Sequence, residues 1–440
     1  MKKGILAAAA LAVAVTLSGC ALQTVDEMYA IPKRSAEYSN LQSAIDSAMY
    51  GLTYSAPVAG DHQQSVQMAD LDGDGVEEYL VFAQGNSAKP LQILIFRQSQ
   101  DGECRLTQVI ESAGTAFEQV EYVQMDDGPG LELVVGRRVS DQILRSLSVY
   151  RFPEGDAELM LMVGYSRFLT CDLDRNGLGE LMVILPGDIN GGKSAAVLYS
   201  TQDGNITRSV EAEMSEEASH IKRVSLGQLQ GGTPGVFVAS LSQDNTITTD
   251  IFTLREGVFS NLTAGSRKES SVGTLRNYYV YADDIDEDGV VELPELISPK
   301  RLSFSTDDQR KFLIRWFAMD LEGRQVDKLY TFHNYLGGWY LELRGAWAPR
   351  AAVEQSGAVY TVYAWDESYR EAAQLFSVTA LTGQNREEDA TTDGRFALLR
   401  AEGVVYAGQM GPDARDYDLT EEQIINSFRL IQQDWKTGET

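Results

Sequence analysis

Cysteine, histidine and tryptophan are scarce: the 440 residues include three cysteines, three histidines and five tryptophans. His62, His220 and His333 lie far apart, so no zinc-ligand spacing is present. Cys104 and Cys171 are also distant in sequence, and we expect two free thiols rather than a disulfide. No Gly-x-Ser-x-Gly segment marks a hydrolase nucleophile. We therefore predict no catalytic residues and no organic cofactor, and we expect a protein that is not an enzyme.

Basic residues are in deficit, because Lys and Arg number 37 against 64 Asp and Glu, for a formal net charge of −27. Nucleic acids and anionic membrane faces would repel so acidic a chain, and we predict no nucleic-acid partner. The excess of carboxylates suits a protein that meets calcium outside the cell.

Long apolar runs are absent apart from residues 4–17, which follow Lys2 and Lys3. This arrangement is typical of a secretory signal, predicted here at residues 1–19. The segment Leu17-Ser-Gly-Cys20 resembles the lipobox of bacterial lipoproteins, and the resemblance implies cleavage before Cys20 and lipidation of its thiol. The alternative is an ordinary signal with a chance cysteine. We expect a lipid-anchored protein on the extracytoplasmic face of the bacterial cell membrane.

Acidic residues follow a fixed spacing in residues 70–78, called loop 1. Carboxylates stand at the first, third, fifth and ninth positions, and Gly75 at the sixth permits a sharp turn. The backbone carbonyl of the seventh residue is a further oxygen ligand, and such an oxygen-rich loop suits Ca²⁺. The alternative is an acidic surface turn that binds nothing.

The spacing returns in residues 172–180 (loop 3) and 284–292 (loop 5). Decayed copies lie at 124–132 (loop 2), which keeps Asp126 and Glu132, and at 228–236 (loop 4), which keeps no acid. The predicted ligands are Asp70, Asp72, Asp74, Val76 and Glu78 in loop 1; Asp172, Asp174, Asn176, Leu178 and Glu180 in loop 3; and Asp284, Asp286, Asp288, Val290 and Glu292 in loop 5. By charge, loop 3 should bind calcium most weakly.

The loops recur every 48 to 56 residues, which indicates stacked units of one type. Short β-prone segments surround each loop, predicted in unit one at 65–69, 78–83, 91–97 and 105–111, and in unit three at 167–171, 180–185, 195–200 and 206–211. Four antiparallel strands per unit predict a mainly β fold, a β-propeller of about five blades over residues 55–348. Predicted strands at 312–319, 326–332 and 339–344 complete the fifth blade.

The acidic loops and their period resemble FG-GAP and VCBS-type repeats, the calcium-loop propellers of integrin α-subunits and bacterial surface proteins. The resemblance covers residues 55–348 and implies a propeller that holds Ca²⁺ in loops 1, 3 and 5. The Phe-Gly and Gly-Ala-Pro signatures of the integrin version are absent, which favours the VCBS type.

Two other motifs compete with this interpretation. Residues 284–295 also fit an EF-hand loop closed by Glu295, but the flanks are β-prone and Pro294 would obstruct the second helix. Residues 187–194, which include Lys193, match the phosphate-binding GxxxxGK[ST] pattern, but a turn follows too soon for the helix that a P-loop requires. We favour neither reading.

Residues 20–54 are predicted to form a tether and a short helix at 39–49, capped by Ser39 and Gln42. Residues 349–440 are predicted to form a small α+β domain, and its last helix, capped by Thr420 and Gln423, would place Phe428 and Ile431 on one face. All five tryptophans follow residue 310, and we expect them to pack in the core rather than form a ligand platform.

The predicted function is a membrane-anchored, calcium-binding module for adhesion or scaffolding, with an unknown cell-wall, glycan or protein ligand. One alternative is a glycan-active surface hydrolase that uses the acidic loops. Another is a structural partner of a membrane complex.

Overall fold

The computed structural model describes residues 36–99, 102–140, 145–187, 194–241, 246–264, 271–273, 280–298, 302, 311–365, 371–431 and 435. These residues form a mainly β structure of six antiparallel sheets in sequence order. The predicted signal peptide, Cys20, residues 20–35 of the tether and Lys193 lie outside the described residues. No helix in the described part of the chain has the length and apolarity needed to cross a membrane.

The first three sheets contain the repeats with loops 1 to 3. Sheet 1 has β1 (Thr53–Tyr54), β2 (Val66–Ala69), β3 (Glu78–Gln84), β4 (Leu91–Gln98) and β5 (Cys104–Ser112). Sheet 2 has β6 (Ala116–Val123), β7 (Glu132–Arg138), β8 (Arg145–Arg151) and β9 (Glu158–Gly164). Sheet 3 has β10 (Arg167–Cys171), β11 (Glu180–Leu185), β12 (Ala195–Gln202), β13 (Asn205–Arg208) and β14 (Ala212–Glu213). The predicted strands of units one and three are thus confirmed to within a few residues at their ends.

The last three sheets continue the series. Sheet 4 has β15 (Ile221–Gln228), β16 (Pro234–Leu241), β17 (Thr246–Arg255), β18 (Val258–Asn261) and β19 (Ser271–Gly273). Sheet 5 has β20 (Glu292–Ile297), β21 (Leu313–Met319), β22 (Gln325–Asn334) and β23 (Trp339–Leu343). Sheet 6 has β24 (Ala351–Ser356), β25 (Val359–Trp365), β26 (Ala372–Thr382), β27 (Arg395–Ala401) and β28 (Val404–Met410). The predicted strands of the fifth blade pair as sheet 5.

In the described part of the chain, three α-helices accompany the sheets: α1 (Ala36–Ala48), α2 (Arg386–Asp389) and α3 (Glu421–Ser427). The predicted start of the first helix was wrong, because α1 begins three residues earlier and places Ser39 inside the helix. The capping box of Thr420 and Gln423 is confirmed, since each side chain binds the backbone N–H of the other. The last helix ends earlier than predicted, because Phe428 starts a strand, β29 (Phe428–Leu430), on the edge of β23.

Neighbouring sheets share apolar cores in sequence order. Phe82 and Phe117 belong to the core between sheets 1 and 2, Val134 and Val183 to that between 2 and 3, Ile184 and Val238 to that between 3 and 4, Phe237 and Leu293 to that between 4 and 5, and Phe332 and Val362 to that between 5 and 6. Inner strands are therefore apolar on both faces, which explains why their sequences are continuous apolar runs.

The outer face of sheet 1 packs on α1, whose Ile45 contacts Val81 and Phe96. The outer face of sheet 6 packs on Leu302 and on Ala390 at the end of α2. No apolar core among the described residues joins sheet 6 to sheet 1. The helix α1 thus covers the face of sheet 1 that a last blade would contact in a closed ring.

The tryptophans are buried in apolar cores, as predicted, since each is at most 6% exposed: Trp316, Trp339, Trp347, Trp365 and Trp435. Cys104 and Cys171 are free thiols, also as predicted.

Candidate metal centres

Three groups of carboxylates converge in loops 1, 3 and 5. The groups are Asp70, Asp72 and Glu78; Asp172, Asp174 and Glu180; and Asp284, Asp286 and Glu292. In each group, one oxygen from every carboxylate lies within 4.8 Å of the others. The structure therefore brings together the first, third and ninth positions of each loop, and each group could hold a metal ion.

The first aspartate of each loop organises the turn by accepting backbone hydrogen bonds. Asp70 Oδ2 accepts from the N–H of Gly75 at 3.0 Å, and Asp172 Oδ2 accepts from Gly177 at 3.1 Å. The equivalent bond from Gly289 to Asp284 measures 2.8 Å. All three sixth-position glycines have φ of +87°, a conformation that L side chains rarely adopt. The glycine is needed for this conformation rather than for space, since an added Cβ would meet no atom within 4 Å.

The ninth-position glutamate lies at the buried end of each loop. Glu78 and Glu180 are 3% exposed and Glu292 is fully buried. One oxygen of each accepts a hydrogen bond from the backbone N–H of the second loop residue, at 2.9 Å from Leu71, 2.7 Å from Leu173 and 3.2 Å from Ile285. This bond fixes the carboxylate and occupies one of its two oxygens.

Burial raises the pKa of all three glutamates. Desolvation raises the pKa of Glu180 to about 7, and the charges of Asp174 and Asp172 add to the shift. Desolvation likewise raises the pKa of Glu292 to about 8, with Asp286 adding to it. A bound cation would compensate the charge and favour the ionised form of both carboxyls.

Several buried oxygens of loops 3 and 5 accept no hydrogen bond. Asp172 Oδ1, Asp286 Oδ1 and Glu292 Oε1 are all buried and accept no hydrogen bond, although Lys328 Nζ lies 3.8 Å from Glu292 Oε1. Buried polar atoms are normally satisfied, so each unpaired oxygen calls for an explanation. The donor set consists of oxygens alone, which suits a hard divalent cation such as Ca²⁺.

The fifth-position side chains stay outside these groups. Asp74, Asn176 and Asp288 are exposed, and each accepts a hydrogen bond from the N–H two residues later, at Val76, Leu178 and Val290. Asp288 is also paired with Lys328, which lowers the pKa of Asp288. The carbonyl ligands predicted at Val76, Leu178 and Val290 remain predictions.

Loop 2 keeps the buried end of the site without the acidic group. Glu132 is 4% exposed, and its Oε2 accepts from the N–H of Met125 at 2.7 Å, as in the three acidic loops. Asp126 Oδ1 accepts from Gly128. Loop 4 has no acid and turns through Gly231 and Gly232, both with positive φ. The buried glutamate of loop 2 thus keeps the backbone bond of the acidic loops without their converging carboxylates.

All five loops lie along one edge of the row of sheets, because consecutive loops bond to each other. Leu131 donates to the carbonyl of Asp70, Gly179 to that of Gln124, and Val291 to that of Gln228. Arg175 of loop 3 donates to the carbonyl of Gly232 in loop 4. An open cleft of about 420 Å³ lies on this edge, lined by Asp174, Gly232, Pro234, Leu254 and Leu321 among others.

The structure also decides against the two competing motifs. Strand β20 follows loop 5 directly, where an EF-hand needs its second helix, and Glu295 pairs with Arg315 at 2.7 Å. Strand β12 follows Ser194, where a P-loop would need a helix. The segment 188–193 of that motif lies outside the described residues.

No protein-family model matches this chain, and no curated protein does either. Among solved structures, the chain is similar to the exotype rhamnogalacturonan lyase YesX, with 11% identity over 80% of this chain and 83% of that chain, at a TM-score of 0.30. It is also similar to a rhamnogalacturonan lyase of Bacillus licheniformis, with 15% identity over 73% and 71% of the two chains, at a TM-score of 0.30. TM-scores this low support no conclusion about a shared fold or activity.

Proposed function

We propose that this protein is a calcium-binding, propeller-type lipoprotein that serves as an adhesion or scaffold module outside the bacterial cell. The observation that carries the proposal is the threefold carboxylate group, with buried unpaired oxygens in loops 3 and 5. The in-order stacking of sheets, with all loops on one edge, supports the blade arrangement of FG-GAP and VCBS-type repeats. In this proposal α1 takes the place of the neighbour that would close the ring on sheet 1.

Calcium fits the loops better than magnesium or zinc does. Zinc prefers nitrogen and sulfur ligands, and no histidine or cysteine belongs to the three groups. Magnesium demands a compact octahedron and gives up its water reluctantly, whereas calcium accepts six to eight oxygens in a flexible loop. The bound ion would neutralise the clustered carboxylates and hold each turn closed.

The anchor would be the lipidated Cys20, joined to α1 by residues 21–35. Fifteen residues span at most ~50 Å when extended, so the tether sets how far the sheets can stand from the membrane. The edge that carries the loops would face the ligand, since its cleft offers both apolar and charged side chains. A cell-wall polymer, a glycan or a protein remains the proposed class of partner.

The hydrolase alternative has one observation in its favour. A carboxyl with a pKa of about 7, as at Glu180, matches the requirement for a general acid. However, the same carboxyl is 3% exposed and bound to the N–H of Leu173, which leaves it poorly placed for substrate. Hydrolysis of surface glycans that is lost in Glu180→Gln but kept in the presence of chelator would favour this alternative.

Calcium stoichiometry tests the main proposal. We expect isothermal titration calorimetry to give three calcium ions per chain, and two ions in each of the variants Asp72→Ala and Asp286→Ala. The control Asp126→Ala should keep all three, because loop 2 lacks the converging group. A stoichiometry of zero would show that the loops are acidic turns only.

A further inference from the structure

A basic side chain from the same sheet reaches into two of the three acidic loops. Arg97 on β4 places Nη1 2.8 Å from Asp72 Oδ2 and Nε 3.5 Å from Glu78 Oε1. Lys328 on β22 contacts Asp288 Oδ2, and its Nζ lies 3.8 Å from Glu292 Oε1. Both basic side chains are mostly buried, at 26% and 15% exposure.

Loop 3 has no such side chain among the described residues. Strand register accounts for the lack of an arginine like that of loop 1: Tyr79 pairs with Phe96 and Leu181 pairs with Tyr199, so Ser200 stands where sheet 1 has Arg97. Arg175, which belongs to loop 3 itself, donates to Gly232 of loop 4 instead. No salt bridge in the described chain involves Asp172, Asp174 or Glu180, and Asp172 Oδ1 is buried without a partner.

We propose that Arg97 and Lys328 act as resident counter-cations, so that loop 3 is the tightest calcium site and loops 1 and 5 bind calcium only by displacing them. This inference rests on the proposed calcium function. It reverses the order expected from ligand charge, by which loop 3 would be the weakest site. A site that is open to the ion for only a fraction of the time has its apparent affinity reduced by that fraction.

The arginine of loop 1 has a second bond that ties the loop to the next sheet. Arg97 Nη2 donates to the carbonyl of Gly155 in sheet 2 at 3.2 Å. The equivalent residue of sheet 2, Arg151, donates to Gly204 of sheet 3 at 3.0 Å beside a loop without the acidic group. Each of the two arginines therefore makes its own bond to the next sheet. Only Arg97 also pairs with loop carboxylates that could hold an ion.

Calorimetric calcium titration of the full chain, with calcium chloride as the probe, tests this order. The wild type should show one tight site and two weaker sites. Lys328→Gln should tighten one weak site by about tenfold, within the 5- to 150-fold range of typical coupling between sites. Arg97→Gln should do the same for the other weak site. Asp172→Asn should remove the tight site.

Two control variants separate the loss of a counter-cation from a general change in charge and from a general change in stability. Arg400→Gln removes a positive charge on sheet 6, where Arg400 pairs with Glu387, and should leave all three affinities unchanged. Arg151→Gln breaks the equivalent bond between sheets and should lower the melting temperature in chelator without tightening any calcium site.

Three outcomes would overturn the proposal: unchanged or weaker calcium binding in both Lys328→Gln and Arg97→Gln, loss of a weak site in Asp172→Asn, or equal tightening by Arg400→Gln. If Arg97→Gln fails to fold, Lys328→Gln still decides, because Lys328 has no bond to another sheet among the described contacts. Absence of calcium binding in the wild type would refute the proposed function itself, and this inference with it.

Discussion

Replacement of the buried glutamate of loop 5 should have opposite effects with and without calcium. Glu292→Gln keeps the size of the side chain and an oxygen that can accept from the N–H of Ile285. It removes the negative charge whose desolvation raises the pKa of Glu292 to about 8. In chelator at pH 8, the variant should therefore be as stable as the wild type or more stable, because no buried carboxylate needs to ionise.

In calcium the same variant should be the less stable protein. An ion at 100 times its dissociation constant adds about 2.7 kcal/mol to the free energy of unfolding, and the variant loses this contribution at one site. Thermal melts in saturating calcium should then show a melting temperature several degrees below that of the wild type.

The matched control is Glu132→Gln in loop 2, whose carboxyl is also buried and binds the N–H of Met125 at 2.7 Å. Because loop 2 lacks the acidic group, the effect of Glu132→Gln on stability should be the same in calcium and in chelator. Equal destabilisation by Glu292→Gln in both conditions would refute the reasoning, since the carboxylate would then serve the fold and not a metal ion.

Further predictions concern the anchor, the turn and the pH. Cys20→Ala should release the protein into the medium, as measured by fractionation, and retention in the membrane fraction would contradict lipidation. Gly177→Ala should lower the free energy of unfolding by about 1–2 kcal/mol in denaturant melts, because φ is +87°, whereas Gly164→Ala should change it little. Calcium affinity should fall as pH drops from 8 to 5, because protons compete for Glu180 and Glu292, whose pKa values are about 7 and about 8. A calcium affinity that does not change with pH in calorimetry would exclude these carboxyls as ligands. Since both pKa values lie above the ordinary 4.5, the metal-free protein should lose stability as pH rises over the same window.

Local sequence patterns sufficed to predict the strands, the acidic loops and the cap of the last helix. The first turn of each acidic loop depends on an aspartate and a glycine five residues apart, and these residues bond to each other within the loop. The capping box of Thr420 and Gln423 is likewise closed within one helical turn. Such features can be read from the sequence because their partners are neighbours along the chain.

Long-range pairing decided the features that the sequence did not predict. Phe428 leaves the helical pattern because the edge of β23, 87 residues earlier at Leu341, offers backbone hydrogen bonds. The place on sheet 1 that helix α1 covers was likewise decided in space, because the folded arrangement brings Val81 and Phe96 together there.

The basic side chains beside the acidic loops show the same division. The ligand spacing of loops 1, 3 and 5 is local and was visible in the sequence, and so was the charge of each loop. Arg97 and Lys328 lie 19 and 36 residues beyond the last carboxylate of their loops, and strand pairing alone brings them to Glu78 and Glu292. The sequence by itself therefore determined which loops have the carboxylates that could hold a cation. The tertiary structure decided which of these loops already contact a basic side chain, because electrostatic interactions depend on distance in space and not along the chain.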